Sequence, residues 1–237
     1  GYFATHENPA ADVTANNAAA LAIISLLTQE EDPAYSEKCR NYAVGLYRFA
    51  AQYPTSLATA AGGLYVSEYA WDDLAWAAAW LYKATGEDAY LDEAVDWIHQ
   101  IPGFLSKDTV ATMIQWNSFT EDNPGWTESW THVWNSLRSG VFVQMAAFTR
   151  EANHPYHSMM QMIARADTLA WVDGPHSPQG FAHKVDVTWG SGRYNSAGQL
   201  VALAYAKNFP TDPDAERIIA WAATQSLYLL GDNEVNG

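Results

Sequence analysis

Apolar residues recur at intervals of three and four along nearly the whole chain, the signature of amphipathic helices rather than strands, and this pattern predicts an all-α protein. A first helix is expected from about Ala10 to Leu27. A second starts after Asp32-Pro33, where the aspartate caps and the proline takes the first turn, and runs to about Phe49. A third is expected from about Asp72 to Ala84, stopped by Gly86, and a fourth from about Asp88 to a point before Pro102-Gly103. These make two hairpins.

The stretch from Ser106 to Glu128 lacks clear periodicity and contains Asn123-Pro124-Gly125, so a long loop is expected there. Helices from about Asn135 to Thr149 and Tyr156 to Ala170 follow, then an irregular Gly-, Pro- and His-rich segment from Asp173 to Gly192. Two more, Tyr194 to Lys207 and Asp214 to Leu229, complete eight helices and four hairpins. Short turns alternating with long loops suggest a helical toroid whose long connections gather at one end to build a site. A tetratricopeptide-type array would show a fixed period of about 34 residues, and none is found.

A chain of 237 residues with 49% hydrophobic and 16% charged residues is read as one domain, 1–237, with a substantial core. No apolar run approaches the roughly 20 residues that span a bilayer, so no membrane partner is expected. The formal charge of −15 repels phosphate backbones and tolerates neutral ligands such as sugars, so no nucleic-acid partner is expected either. Cys39 is the single cysteine, which excludes an intrachain disulfide. The chain opens on Gly1 without a leader, which suits either removal of a targeting segment or numbering that starts inside a longer protein. Eleven Trp and thirteen Tyr exceed what a core of this size obviously needs; most are expected to pack, and flat rings are also platforms for the faces of sugars.

Four motifs in order carry a family resemblance. Asp72-Asp73-Leu74-Ala75-Trp76-Ala77-Ala78-Ala79-Trp80-Leu81-Tyr82-Lys83-Ala84-Thr85-Gly86 resembles Asp-Glu-Leu-x-Trp-(Ala/Gly)-Ala-x-Trp-Leu-Tyr-(Lys/Arg)-Ala-Thr-Gly of glycoside hydrolase family 9 endoglucanases. Trp189-Gly190-Ser191-Gly192-Arg193-Tyr194 resembles the family's Trp-Gly-x-x-Arg-Tyr, and Ala202-Leu203-Ala204-Tyr205-Ala206-Lys207 follows at the family's distance. Leu230-Gly231-Asp232-Asn233 resembles its Leu-Gly-Asp-Asn, and Asp12 with Asp32-Pro33-Ala34-Tyr35 fits the first segment. Trp130-Thr131-His132-Val133-Trp134-Asn135 is similar to a Trp-Thr-x-x-Trp-Asp segment, and Leu64-Tyr65 to an aromatic pair of the cleft, one residue short of the family's spacing to Asp72.

The resemblance implies an (α/α)6 barrel, of which about four hairpins lie in this chain, and a cellulase that hydrolyses β-1,4-glucan with inversion. It also implies where the chemistry is not. The family's catalytic Asp-Ala-Gly-Asp motif lies upstream of the matching segment, and its catalytic Glu lies downstream of Leu-Gly-Asp-Asn, so no catalytic residue is assigned within this chain. Asp186, three residues before Trp189, reads as a surface charge. By the resemblance, Trp130, Trp189, Arg193, Tyr194 and Tyr65 would bind substrate; read without it, Trp189, Arg193 and Tyr194 could simply pack a helix start. A cation at a helix N-terminus runs against the dipole, which favours a role for Arg193 outside packing.

Asp72 and Asp73 suit the dipole of a helix N-terminus on their own. The resemblance implies that acids here, with a residue after the Trp-Thr-x-x-Trp segment, bind a structural calcium ion, with carbonyls from about Glu68 to Tyr69; Asn135 stands where the family has an acid. No organic cofactor is expected. A secreted protein is expected by analogy, and the alternative function is a non-catalytic glucan-binding or scaffold protein of the same fold. An open barrel would expose the face around Ala18 to Ile24 and that of Ile218, Trp221 and Leu229, to be covered by other segments of the catalytic domain or a partner chain.

Overall fold

The computed structural model describes residues 3–56, 67–116, 118, 131–183 and 190–233. Among them no strand forms, and an isolated antiparallel bridge joins His176 and Ala182. Contacts divide the chain into two compact units: residues 1–110 with 134–137, and residues 111–133 with 138–237.

The first unit is built on α1 (Ala11–Thr28), α2 (Pro33–Gln52), α3 (Trp71–Thr85) and α4 (Asp88–Ile98). α1 packs against α2 and α3, and α3 against α4. The α1 contact is close because Ala15, Ala18, Ala19 and Ala22 present only methyl groups to their neighbours and are buried. That helix is apolar enough over 18 residues to cross a membrane by length and composition, and the same small residues instead serve as the interior of this unit. α2 starts where the pattern predicts: Asp32 accepts a hydrogen bond from the Tyr35 amide at 3.0 Å and Pro33 occupies the first turn. α3 stops at Gly86, whose φ of 74° lies in the left-handed region and whose amide closes on the Tyr82 carbonyl at 2.8 Å.

The stretch expected as loop from Ser106 contains a further helix, α5 (Lys107–Gln115). Its periodicity is weak because Val110 alone is buried, and its start is fixed by Ser106, whose hydroxyl accepts from the Thr109 amide at 3.2 Å.

The second unit holds α6 (Arg138–Glu151), α7 (His157–Val172), α8 (Ser191–Asn208) and α9 (Ala215–Leu229), paired as α6–α7 and α8–α9. α6 begins three residues later than the sequence suggests, after a turn at Trp134–Asn135. Two glycines permit close approaches. A Cβ on Gly198 would meet the Trp171 indole at 2.8 Å, and one on Gly140 would meet the His132 ring at 2.3 Å. Arg165 joins α7 to the α8–α9 turn through Asp212, at 3.1 Å, and Asp214, while the Tyr205 hydroxyl donates to Asp212 at 2.7 Å. Burial and that acceptor push the Tyr205 phenol well above its ordinary value.

The expected apolar exposures are only partly found. Ala18, Ala19, Ala22, Ile218 and Trp221 are buried, because the Ile218-Trp221-Ala222-Gln225 stripe is the inward face of α9. Leu229 is exposed as expected, together with Leu200 and Leu203 of α8 and Leu227 and Leu230 at the end of α9.

Candidate functional site

At the head of α3 two consecutive carboxylates are almost fully buried, Asp72 at 2% and Asp73 at 3% exposure. The sequence places them in the first helical turn, where four amide groups lack intrahelical partners and negative charge is favoured. Each is also tied to a distant segment. Asp72 Oδ2 accepts from the Leu137 amide at 2.6 Å, and Asp73 Oδ1 accepts from Asn16 Nδ2 at 2.6 Å. The Asn16 amide also donates to the Asp12 carbonyl at 3.0 Å, which fixes its orientation. Burial, then the charges of Asp72 and Asp12, push the Asp73 carboxyl well above the usual carboxylate range, against the hydrogen bonds from Asn16 and its own backbone.

Two adjacent carboxylates are thus buried together, with the half-buried Asp12 charge nearby, a condition that a bound cation relieves. The residues fit calcium in donor type: two carboxylates, hard oxygen donors, with the Asn135 amide as a third candidate. Asn135 is exposed in the turn two residues before Leu137, and the Leu137–Asp72 bond holds that turn against the start of α3. Among the described residues no group of three His, Cys, Asp or Glu side chains has a metal-ligating arrangement, so backbone carbonyls would have to supply much of the shell. The neighbouring backbone is organised: Ser67 Oγ donates to the Tyr69 carbonyl at 2.9 Å and Ser56 Oγ to the Ser67 carbonyl at 2.7 Å. Trp71, next to Asp72, stacks on Trp97 with ring centroids 5.8 Å apart and planes at 11°.

In the second unit the Trp-Gly-x-x-Arg-Tyr segment enters α8. Gly190 has a φ of 68°, which lets the chain turn into the helix, and its carbonyl accepts from the Arg193 amide at 3.0 Å. The Arg193 guanidinium lies 4.5 Å from the centroid of the Tyr194 ring and donates to its hydroxyl at 2.5 Å. A cation over an aromatic face holds both groups in a fixed relation at the surface. Arg193 is exposed and Tyr194 half-buried.

A buried polar network anchors the loop ahead of this helix. Asn195 donates to the Ala182 carbonyl at 2.8 Å and to Gln225 Oε1 at 2.9 Å, and Gln225 Oε1 also accepts from the Ala182 amide at 2.8 Å. Gln225 Nε2 reaches the Gly180 carbonyl at 2.9 Å, while Gln199 bridges Asn195, at 2.6 Å, and Ser226, at 2.5 Å. His176 adds a second tie: its Nδ1 donates to the Gly174 carbonyl at 2.7 Å and its Nε2 accepts from the Trp221 indole at 3.3 Å, which sets the tautomer.

Of the residues singled out from the sequence, the structure brings together Asp72 with Asp73, and Arg193 with Tyr194. Trp130, Trp189 and Tyr65, and with them Asp186, lie outside the described residues. Sequence reasoning missed Asn16, whose position four residues after Asp12 on one face of α1 was the available signal. It also missed Asn195, Gln199 and Gln225, polar residues set among the buried positions of α8 and α9.

The family model described as Glycosyl hydrolase family 9 matches residues 1–237. Endoglucanase B of Cellulomonas fimi is 30% identical over 95% of this chain and 20% of its own length; Endoglucanase A of Bacillus pumilus is 28% identical over 96% and 32%. Among solved structures, the catalytic domain of Clostridium thermocellum CelT superposes with a TM-score of 0.75 at 30% identity, covering 100% of this chain and 47% of that one. Endoglucanase CelQ of the same organism, solved with cellotetraose, gives a TM-score of 0.69 at 29% identity over 95% and 34%. The chain spans a fifth to a half of the lengths of these four proteins.

Among the described residues the fold is all-helical and of the (α/α)6-barrel kind, the class defined by the catalytic domains it superposes on. The chain belongs to glycosyl hydrolase family 9.

Proposed function

We propose that this chain forms part of an endo-β-1,4-glucanase that cleaves by inversion, and that it supplies part of the glucan cleft rather than the acid and base. The observation that carries this is the Arg193–Tyr194 pair at the entry to α8, next to the Asn195–Gln225 network, within a chain that matches the family from end to end. By the family's motifs Trp130 and Trp189 are assigned as further glucan-contacting rings, with Arg193 donating to sugar hydroxyls. Inversion needs a general acid and a general base roughly 6.5 to 9.5 Å apart on opposite faces of the sugar. Those carboxylates are assigned to the part of the relatives' length that this chain does not span.

Calcium, held by Asp72, Asp73 and Asn135 with carbonyls near Glu68 and Tyr69, would neutralise the charge buried at the head of α3. The exposed leucines of α8 and α9 are assigned to contact with further segments of the catalytic domain, and the protein to the extracellular space, as suits attack on a polymeric glucan.

Titration of the intact gene product with cellotetraose, followed by tryptophan fluorescence, tests the cleft. Y194A and R193A are expected to weaken binding about 10-fold each, roughly 1.4 kcal/mol, without loss of melting temperature. Unchanged affinity in both variants would remove the cleft assignment.

A further inference from the structure

On the first unit, α2 carries Arg40, Val44 and Arg48 at intervals of four, a single ridge of the helix. Gly45 lies beside that ridge, and a Cβ placed on it would meet nothing within 4 Å, so the helix surface is low there. Facing the ridge are Thr85 at the end of α3 and Glu87 and Tyr90 at the start of α4. Together with Asn41 these residues enclose a concavity of about 490 Å³, within the roughly 300 to 1,000 Å³ usual for small-molecule sites.

Its charge is out of keeping with the chain, which carries 27 acidic and 12 basic residues. Arg165 and Arg217 are each paired with two aspartates. Among the described residues neither Arg40 nor Arg48 has a carboxylate within ion-pair distance. Burial first, and then Glu87, push the nearby Tyr90 phenol above its ordinary value, while the Arg48 charge pulls it down. Two guanidiniums at one concave site offer planar, charge-assisted recognition of a carboxylate. A simple inorganic anion would gain nothing from Glu87, which repels it. An amide at Asn41, a hydroxyl at Thr85 and a carboxylate at Glu87 instead suit the mixed donors and acceptors of sugar hydroxyls.

We propose that the concavity between α2 and the α3–α4 turn binds a single uronic acid unit of a saccharide, with Arg40 and Arg48 on its carboxylate and Asn41, Thr85 and Glu87 on its hydroxyls. The site does not depend on the neutral-glucan cleft proposed above, and the two readings fail separately.

The test is ligand-observed NMR titration of the intact gene product with methyl β-glucuronide, using methyl β-glucoside, acetate and phosphate as comparisons and cellotetraose as a control. The glucuronide is expected to bind at least 10-fold tighter than the other three small ligands. R40Q/R48Q is expected to lose that binding at least 10-fold and to keep its affinity for cellotetraose. R48Q alone should lose an intermediate amount, which keeps the inference testable if the double variant folds poorly. Equal glucuronide affinity in R48Q and the parent protein would overturn the proposal, as would acetate or phosphate binding as tightly as the glucuronide.

Discussion

The Leu137 amide and the Asp72 carboxylate meet at 2.6 Å across 65 positions of sequence, and this bond brings the turn that carries Asn135 to the head of α3. A charge-assisted bond of this kind between buried groups contributes about 1.5 to 3 kcal/mol. If the same carboxylates hold calcium, the ion stabilises only the folded chain, by about 2.7 kcal/mol at 100 times its Kd. Calorimetry should therefore show a melting temperature several degrees lower in chelator than in millimolar calcium, with the difference abolished in D73N. Identical melting curves with and without the metal would remove calcium from the account.

A Cβ on Gly198 would lie 2.8 Å from the Trp171 indole, and both residues are buried. Overpacking of a well-filled core costs about 1 to 3 kcal/mol. G198A is expected to lose stability in that range by chemical denaturation, and W171L is expected to recover part of it in the double variant. Additive losses from the two changes would show that the contact is not the cause. G140A should behave in the same way toward His132.

Burial pushes the imidazoles of His99 and His157 below their ordinary value, against hydrogen bonds that each ring donates to a carbonyl, Leu105 for His99 and Ala146 for His157. Lys107 adds to the lowering at His99 while Asp96 opposes it, and Arg150 adds to it at His157. The neutral ring is the form the fold favours. Its contribution is complete above the ordinary imidazole value, about 6.5, and is lost as pH falls through that value toward the lowered one. The parent should lose stability relative to H99Q/H157Q between about pH 7 and pH 5, measured as the difference in melting temperature. A constant difference across that range would contradict it.

Helix positions were legible where the chain carries a chemical stop or start: Asp32-Pro33 opens α2 and Gly86 closes α3, each by a local rule. α5 was not, because a helix that buries one residue leaves little periodicity to read. The late start of α6 follows from the turn that the Leu137–Asp72 bond fixes, a tertiary contact that no local pattern announces. The site divides in the same way. Motif spacing singled out Asp72, Asp73, Arg193 and Tyr194, and the structure pairs them; Asn16 reaches Asp73 from 57 positions away, and Gln225 reaches Asn195 from 30. The exposed apolar face is only partly legible: Leu229 is exposed as expected, but α1 and α9 turn their small and aromatic stripes inward, and Leu200, Leu203, Leu227 and Leu230 are exposed as well.

The central claim, that this chain belongs to an inverting β-1,4-glucanase and lines its cleft, is tested most directly by proton NMR of the intact gene product acting on cellohexaose, with W189A beside it. The account predicts that the newly formed reducing end appears first as the α-anomer, and that W189A forms it at least 10-fold more slowly. A β-anomeric first product, or no cleavage by the intact protein, would contradict it.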